Sequence, residues 1–281
     1  MLNKIRLLFG LALMIPAQGL AQADVQPPLS FGAFPNLSAR QVIASYQPLA
    51  RELEKQLNRR VVVYSAPDFR TFVERTHAGQ YDIVATAPHL AWLARQEAGY
   101  RPLLKYTTPT HGLLVVRADT TFNTVDALRG KTLARANAMA VTALAVQSAL
   151  ADKGLRKGTD YTILNAGTHN NAVMQVLNGR AEAAALGYHP YKLLAEDLRQ
   201  KLRIVLETPP VSSLMLLSHP RLSDADAQAV RQALHAFEHS TEGREFMKRG
   251  GYGGFTPVSG DELQAFHAYA LEVRELLRSI P

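Results

Sequence analysis

Residues 161–187 read YTILNAGTHNNAVMQVLNGRAEAAALG. Tyr161 to Asn165 is a short run with β-forming residues, His169 to Asn178 carries a helical pattern that stops at Gly179, and Ala183 to Gly187 is a second apolar run. Short apolar strands separated by a helix can bury both faces of a sheet only if the sheet is largely parallel and helices cover it. That places the stretch in an α/β domain.

The same rhythm runs outward in both directions. Upstream, Thr132 to Arg135 reads as a strand before an Ala-rich helix from about Ala140 to Lys153. Further back, Leu29 to Phe34 is a strand, and Ser38 with Gln41 forms a capping box that opens a helix with Val42, Tyr46, Leu49, Leu53 and Leu57 on one face. Pro48 interrupts that face without ending it, so one bent helix is expected. Val61 to Ser65 and Asp82 to Ala85 are strands, and Phe69 to Ala78 and Pro88 to Ala98 are helices. Leu113 to Val116 is a further strand, after which the polar stretch Arg117 to Asn123 reads as a first crossing between two units. Tyr191 to Leu198 and Leu202 to Glu207 complete the second unit, and the stiff Pro209-Pro210 pair reads as the crossing back. Leu214 to Ser218 then rejoins the first unit, followed by helices capped at Ser223 and Ser259. The expectation is a bilobal α/β protein, two mixed sheets flanked by helices with a cleft between the lobes. Residues 24–116 and 211–281 make one lobe and residues 117–210 the other.

Composition narrows the chemistry. The chain has 281 residues, 47% of them apolar, and no cysteine. That excludes disulfide scaffolds, thiolate metal sites and thiol nucleophiles. Lys4 and Arg6 precede an apolar run from Leu7 to Ile15, and Ala21-Gln22-Ala23 offers small residues to a signal peptidase, so export with cleavage after Ala23 is expected. The remaining chain carries 29 basic against 24 acidic residues. That excess, without basic blocks, argues against nucleic acid and suits an anionic solute. His235 and His239 lie four apart, but the intervening residues lack the glutamate of a zinc H-E-x-x-H motif. No G-x-S-x-G elbow and no G-x-x-x-x-G-K-[ST] loop occurs either. No catalytic residue, metal or cofactor is expected.

Four blocks carry a resemblance to a known family. They are Gly32-Ala33-Phe34-Pro35-Asn36-Leu37-Ser38, then Gly79-Gln80-Tyr81-Asp82-Ile83 with Ala87-Pro88-His89, then Leu128-Arg129-Gly130-Lys131, and finally Gly167-Thr168-His169 through Val176-Leu177-Asn178-Gly179-Arg180-Ala181-Glu182-Ala183-Ala184. In this order and spacing they resemble the periplasmic solute-binding proteins of phosphate, phosphite and phosphonate ABC transporters (PhnD-like), a branch of the type II periplasmic binding fold. The resemblance implies an exported monomer that closes two hinged lobes on a small anionic or polar solute and presents it to an inner-membrane permease. The alternative is a sensor of the same fold that signals to a membrane histidine kinase. An enzyme on this fold, like the hydroxymethylbilane synthase-like relatives, would use a cysteine-linked cofactor, and the absence of cysteine removes that particular chemistry. Family members trap the anionic head with a Ser-Thr-Ser run at a helix start. Here the corresponding stretch, Asn137-Ala138-Met139-Ala140-Val141-Thr142-Ala143, keeps one hydroxyl, Thr142.

The candidate ligand-binding residues follow. His169, beside Thr168 at a helix start, stands where the resembled family sets a His against ligand oxygens, and an imidazole donates in either protonation state. Thr142 either offers a hydroxyl and an amide to an anion or is an ordinary residue of an Ala-rich helix. His89 either caps its helix or lines the cleft, and Thr86 is either a ligand contact at the carboxyl end of a strand or a plain turn residue. Tyr188 closes over the ligand or packs between lobes, with His189 beside it. Phe69 stands where the family supplies a tyrosine and reads more readily as wall or core, as does Trp92. His111, next to Thr110, completes the set.

Overall fold

The structure is a computed structural model that describes residues 26–279. The signal-peptide expectation therefore lies outside the described residues. Along the chain run β1 (Leu29–Ala33), α1 (Ala39–Leu57), β2 (Val61–Tyr64), α2 (Phe69–His77), β3 (Ile83–Thr86), α3 (Pro88–Ala98), β4 (Arg101–Tyr106) and β5 (Gly112–Arg117). After a 3-10 turn at Val125–Leu128 come β6 (Lys131–Arg135), α4 (Val141–Asp152), β7 (Tyr161–Asn165), α5 (His169–Leu177), β8 (Ala183–Gly187), α6 (Tyr188–Lys192), α7 (Glu196–Arg199) and β9 (Leu202–Glu207). The chain finishes with β10 (Met215–Ser218), α8 (Asp224–His239), α9 (Thr241–Gly250), β11 (Phe255–Thr256), α10 (Gly260–Gln264) and α11 (His267–Ser279).

These strands build two mixed sheets. The first has the order β11-β4-β10-β3-β1-β2 and the second β7-β6-β8-β5-β9. In the first, β1 pairs in parallel with β2 and β3, and β10 runs antiparallel between β3 and β4. In the second, β6 is parallel to β7 and β8, and β5 is antiparallel to β8 and β9. The α1 helix begins with the expected reciprocal Ser38–Gln41 box and continues through Pro48 as one helix.

One expectation about the lobes needs correction. The strand Leu113–Val116, assigned above to the first lobe, is central in the second sheet, and Arg117–Asn123 is a turn within that lobe, tied by an Arg117–Asp119 ion pair. An apolar strand buried on both faces fits the middle of either sheet. Its place in the first sheet is taken by β4, which sequence reading missed because Pro102 and two cations break its pattern. The first crossing is therefore Thr107–His111. It meets the second at Thr110 and Val211, which exchange backbone hydrogen bonds of 2.9 and 2.8 Å.

The two lobes are packed together. A single apolar cluster runs from Val84, Leu90 and Trp92 in the first lobe to Val141 and Leu144 in the second, and includes Phe266, Ala270 and Val273 near the C-terminus. The α11 helix packs on α3.

Candidate functional site

A small cavity lies where the two sheets face each other, at the carboxyl ends of their parallel strands. It offers ≈ 60 Å³ to the centres of water-sized spheres. At about 10–15 Å³ of such space per water, it holds roughly four to six water-sized groups. That is the size of a tetrahedral oxyanion with a small substituent.

Three long helices begin at its wall. The chain leaves β3 and enters α3 at Ala87-Pro88, leaves β6 and enters α4 at Ala140-Val141-Thr142, and enters α5 at His169, all of which line the cavity. The first four amides of a helix have no intrahelical acceptor. No side chain caps α3 or α4, whereas Thr168 caps α5 by accepting from the Asn171 amide at 3.1 Å. The first turn of α4 thus presents the Val141 and Thr142 amides at the positive end of the helix dipole. Among the described residues, no Asp, Glu, Lys or Arg lines it. A cation there would face helix N-termini without a counter-charge, whereas an anion meets donors on several sides.

His169 and Thr142 are brought together at this cavity, with Thr110, Ser213, His189 and Tyr252. His169 is buried at 5% exposure, and its Nδ1 has no hydrogen-bond partner among the described residues. Burial pushes its pKa down to about 4, so at neutral pH the ring is uncharged and has one N–H to give. His189 is 8% exposed, with neither ring nitrogen partnered among the described residues, and burial followed by repulsion from His111 lowers its pKa. Thr110 and Ser213 come from the two crossings.

The other sequence candidates sit elsewhere. His89 is fully buried, and its Nε2 donates to the Met139 carbonyl at 2.8 Å, a contact between α3 and the loop before α4. Thr86 is buried in β3 opposite Met215, outside the cavity lining. Phe69 packs edge-on to Phe34 at 4.6 Å between ring centroids and belongs to the core. Tyr188 and His111 pack edge-to-face on each other at 5.8 Å, and His111 Nδ1 lies 3.4 Å from Glu207 Oε1. Thr168 acts as the α5 cap. Sequence reading did not single out Ser213 or Tyr252. The signals were present: Ser213 follows the Pro209-Pro210 crossing that had to border the cleft, and Tyr252 is bracketed by Gly250-Gly251 and Gly253-Gly254.

The model of the family described as ABC transporter, phosphonate, periplasmic substrate-binding protein matches residues 31–263. The chain belongs to this family. Its members are exported binding components that deliver a small solute to an ABC permease. Solved structures of the phosphonate-binding family and its relatives share the fold. PhnD1 from Prochlorococcus marinus, in complex with methylphosphonate, superimposes with a TM-score of 0.77 at 14% identity, over 88% of this chain and 98% of that one. A binding protein component of an ABC phosphonate transporter from Pseudomonas aeruginosa gives 0.78 at 16% identity, over 89% and 87%. XAC2383 from Xanthomonas citri, bound to chloride ion, gives 0.73 at 22% identity, over 88% and 99%. The two-lobed arrangement described above is that of the type II periplasmic binding fold.

Proposed function

We propose that this chain captures a small oxyanion of the phosphonate, phosphite or phosphate class in the cavity between its lobes and carries it to an ABC permease. The observation that carries the reading is the wall of that cavity: uncapped helix starts with no charged side chain. His169 and the Val141 and Thr142 amides donate to the anion's oxygens, and the hydroxyls of Thr110, Thr142 and Ser213 complete the shell. Loss of two hydroxyls from the Ser-Thr-Ser run is offset by backbone donors, which the Ala-rich segment still presents at the helix start. The structural relative from Prochlorococcus, which holds methylphosphonate, supports the same class. The lobes pivot at the paired crossings Thr107–His111 and Thr208–Val211, and the working form is a monomer that begins after Ala23.

Thermal shift and calorimetry with phosphate, phosphite, methylphosphonate, sulfate, selenite and acetate test the reading. Ligand at a hundred times its Kd adds about 2.7 kcal/mol to stability, so at least one tetrahedral oxyanion raises Tm by several degrees. A flat response to all six sinks the oxyanion assignment.

A further inference from the structure

A second, larger cavity of ≈ 330 Å³ adjoins the first and shares Asn36, His189, Pro190 and Tyr252 with it. Its own walls come from α1, α9 and the segment after α6, including Leu37, Tyr46, Leu193 and Phe246. Among the described residues Arg249 is its one charged lining side chain, and no carboxylate lines it. The inner cavity fits an anionic head with at most a small substituent, so a larger organic part of the solute extends past the four shared residues into the outer one.

From this we infer that the outer cavity is a subsite for the organic tail of the solute, and that it selects uncharged, apolar or anionic tails and rejects ammonium tails. The inference rests on the proposed function, because it takes the head as already placed. An ammonium group is held most strongly by a carboxylate or an open aromatic face; the neutral acceptors here, Asn36, Gln41, Ser45 and Asn170, offer only partial charge to set against Arg249. Among the described residues a carboxylate is absent from the walls. The rings present no free cage either: Tyr252 is stacked on Tyr106 at 4.1 Å, and Phe246 packs on Tyr46 at 5.7 Å and on Phe237 at 5.4 Å. Arg249, exposed on α9, adds repulsion toward a cation and attraction toward an anion. Leu193 is 48% exposed in this structure, an apolar side chain left at the wall for a tail to cover. His189 marks the neck. Its ring is nine-tenths buried with both nitrogens unpartnered, and it packs so close to Gly251 that a Cβ there would stand 2.9 Å from Nδ1.

The test is calorimetry on the full exported chain with phosphonates that share one head: methyl-, phenyl-, benzyl-, carboxymethyl- and 2-aminoethylphosphonate, with phosphite as the head alone. Phenyl- or benzylphosphonate is expected to bind at least tenfold tighter than the aminoethyl compound. Arg249→Glu is expected to shift that ratio at least fivefold toward the aminoethyl compound. Aminoethyl binding as tight as, or tighter than, the aryl compounds overturns the inference, as does equal affinity across all tails. In either case phosphite or methylphosphonate binding would keep the proposed function intact. No binding by any head overturns both.

Discussion

His89 and His169 look alike in sequence, each in the first turn of a helix that follows a strand, yet they do different work. The His89 ring is spent on the Met139 carbonyl and joins the lobes, whereas His169 Nδ1 has no such partner. His169→Ala is therefore expected to weaken oxyanion binding at least tenfold, about 1.4 kcal/mol, with His169→Gln recovering part of the loss; calorimetry reads both. His89→Ala is expected to lower Tm more than it lowers intrinsic affinity. The two rings also set a pH dependence. Burial holds each at about 4 in the folded chain, below the ordinary value near 6.5. Between those values the unfolded chain binds more protons, so stability is complete above pH 6.5 and is lost as pH falls toward 4, by up to about 1.4 kcal/mol per pH unit per histidine. Urea titrations at pH 7.5, 6 and 5 should show a falling midpoint, and an acid-insensitive midpoint contradicts the burial of these rings. Their positions were legible from the strand-to-helix pattern. Their roles were not, since the carbonyl that distinguishes them lies fifty residues along the chain from His89.

Among elements, the placement of α4 matters most, because its first turn forms a wall of the inner cavity. It lies directly against the start of β5. A Cβ on Gly112 would stand 2.6 Å from the Thr142 carbonyl and 2.9 Å from Val146 Cγ2. Gly112→Ala must push α4 outward, which predicts a loss of about 1–3 kcal/mol in denaturant unfolding together with weaker anion binding. Unchanged stability would mean that the contact is looser than described. Helices with a clear apolar stripe and a cap were readable from the sequence, as α1 and α8 illustrate. The β4 strand was not, because Pro102 argues against a strand. The structure accommodates it where the β4–β10 register shifts, between Leu216 and Leu217. Missing β4 is what assigned β5 to the wrong sheet.

At the scale of the whole molecule, and although the sequence reading sets the first crossing one strand too late, the repeated strand–helix rhythm and the stiff Pro209-Pro210 crossing made the two-lobed plan readable. The seam between the lobes was not, since it depends on contacts such as His89 to Met139 and on an apolar cluster spanning both halves. Spin labels on cysteines placed at Glu52 and Glu196, in a chain with no cysteine of its own, should report a shorter and narrower distance distribution when oxyanion is added. Identical distributions with and without oxyanion would argue against closure as the binding step. The Thr110–Val211 pairing has a mechanical corollary. Two connecting segments bonded side by side at one residue pair would act as a short axle, and a rigid body turning on an axle moves most where it is farthest away. Thr110 itself borders the inner cavity, so under the proposed reading a modest swing would barely alter the floor beneath a bound solute while the outer wall at Leu193 would move farthest. On that reading, entry and exit would be governed at the rim, and the grip on the head would relax last.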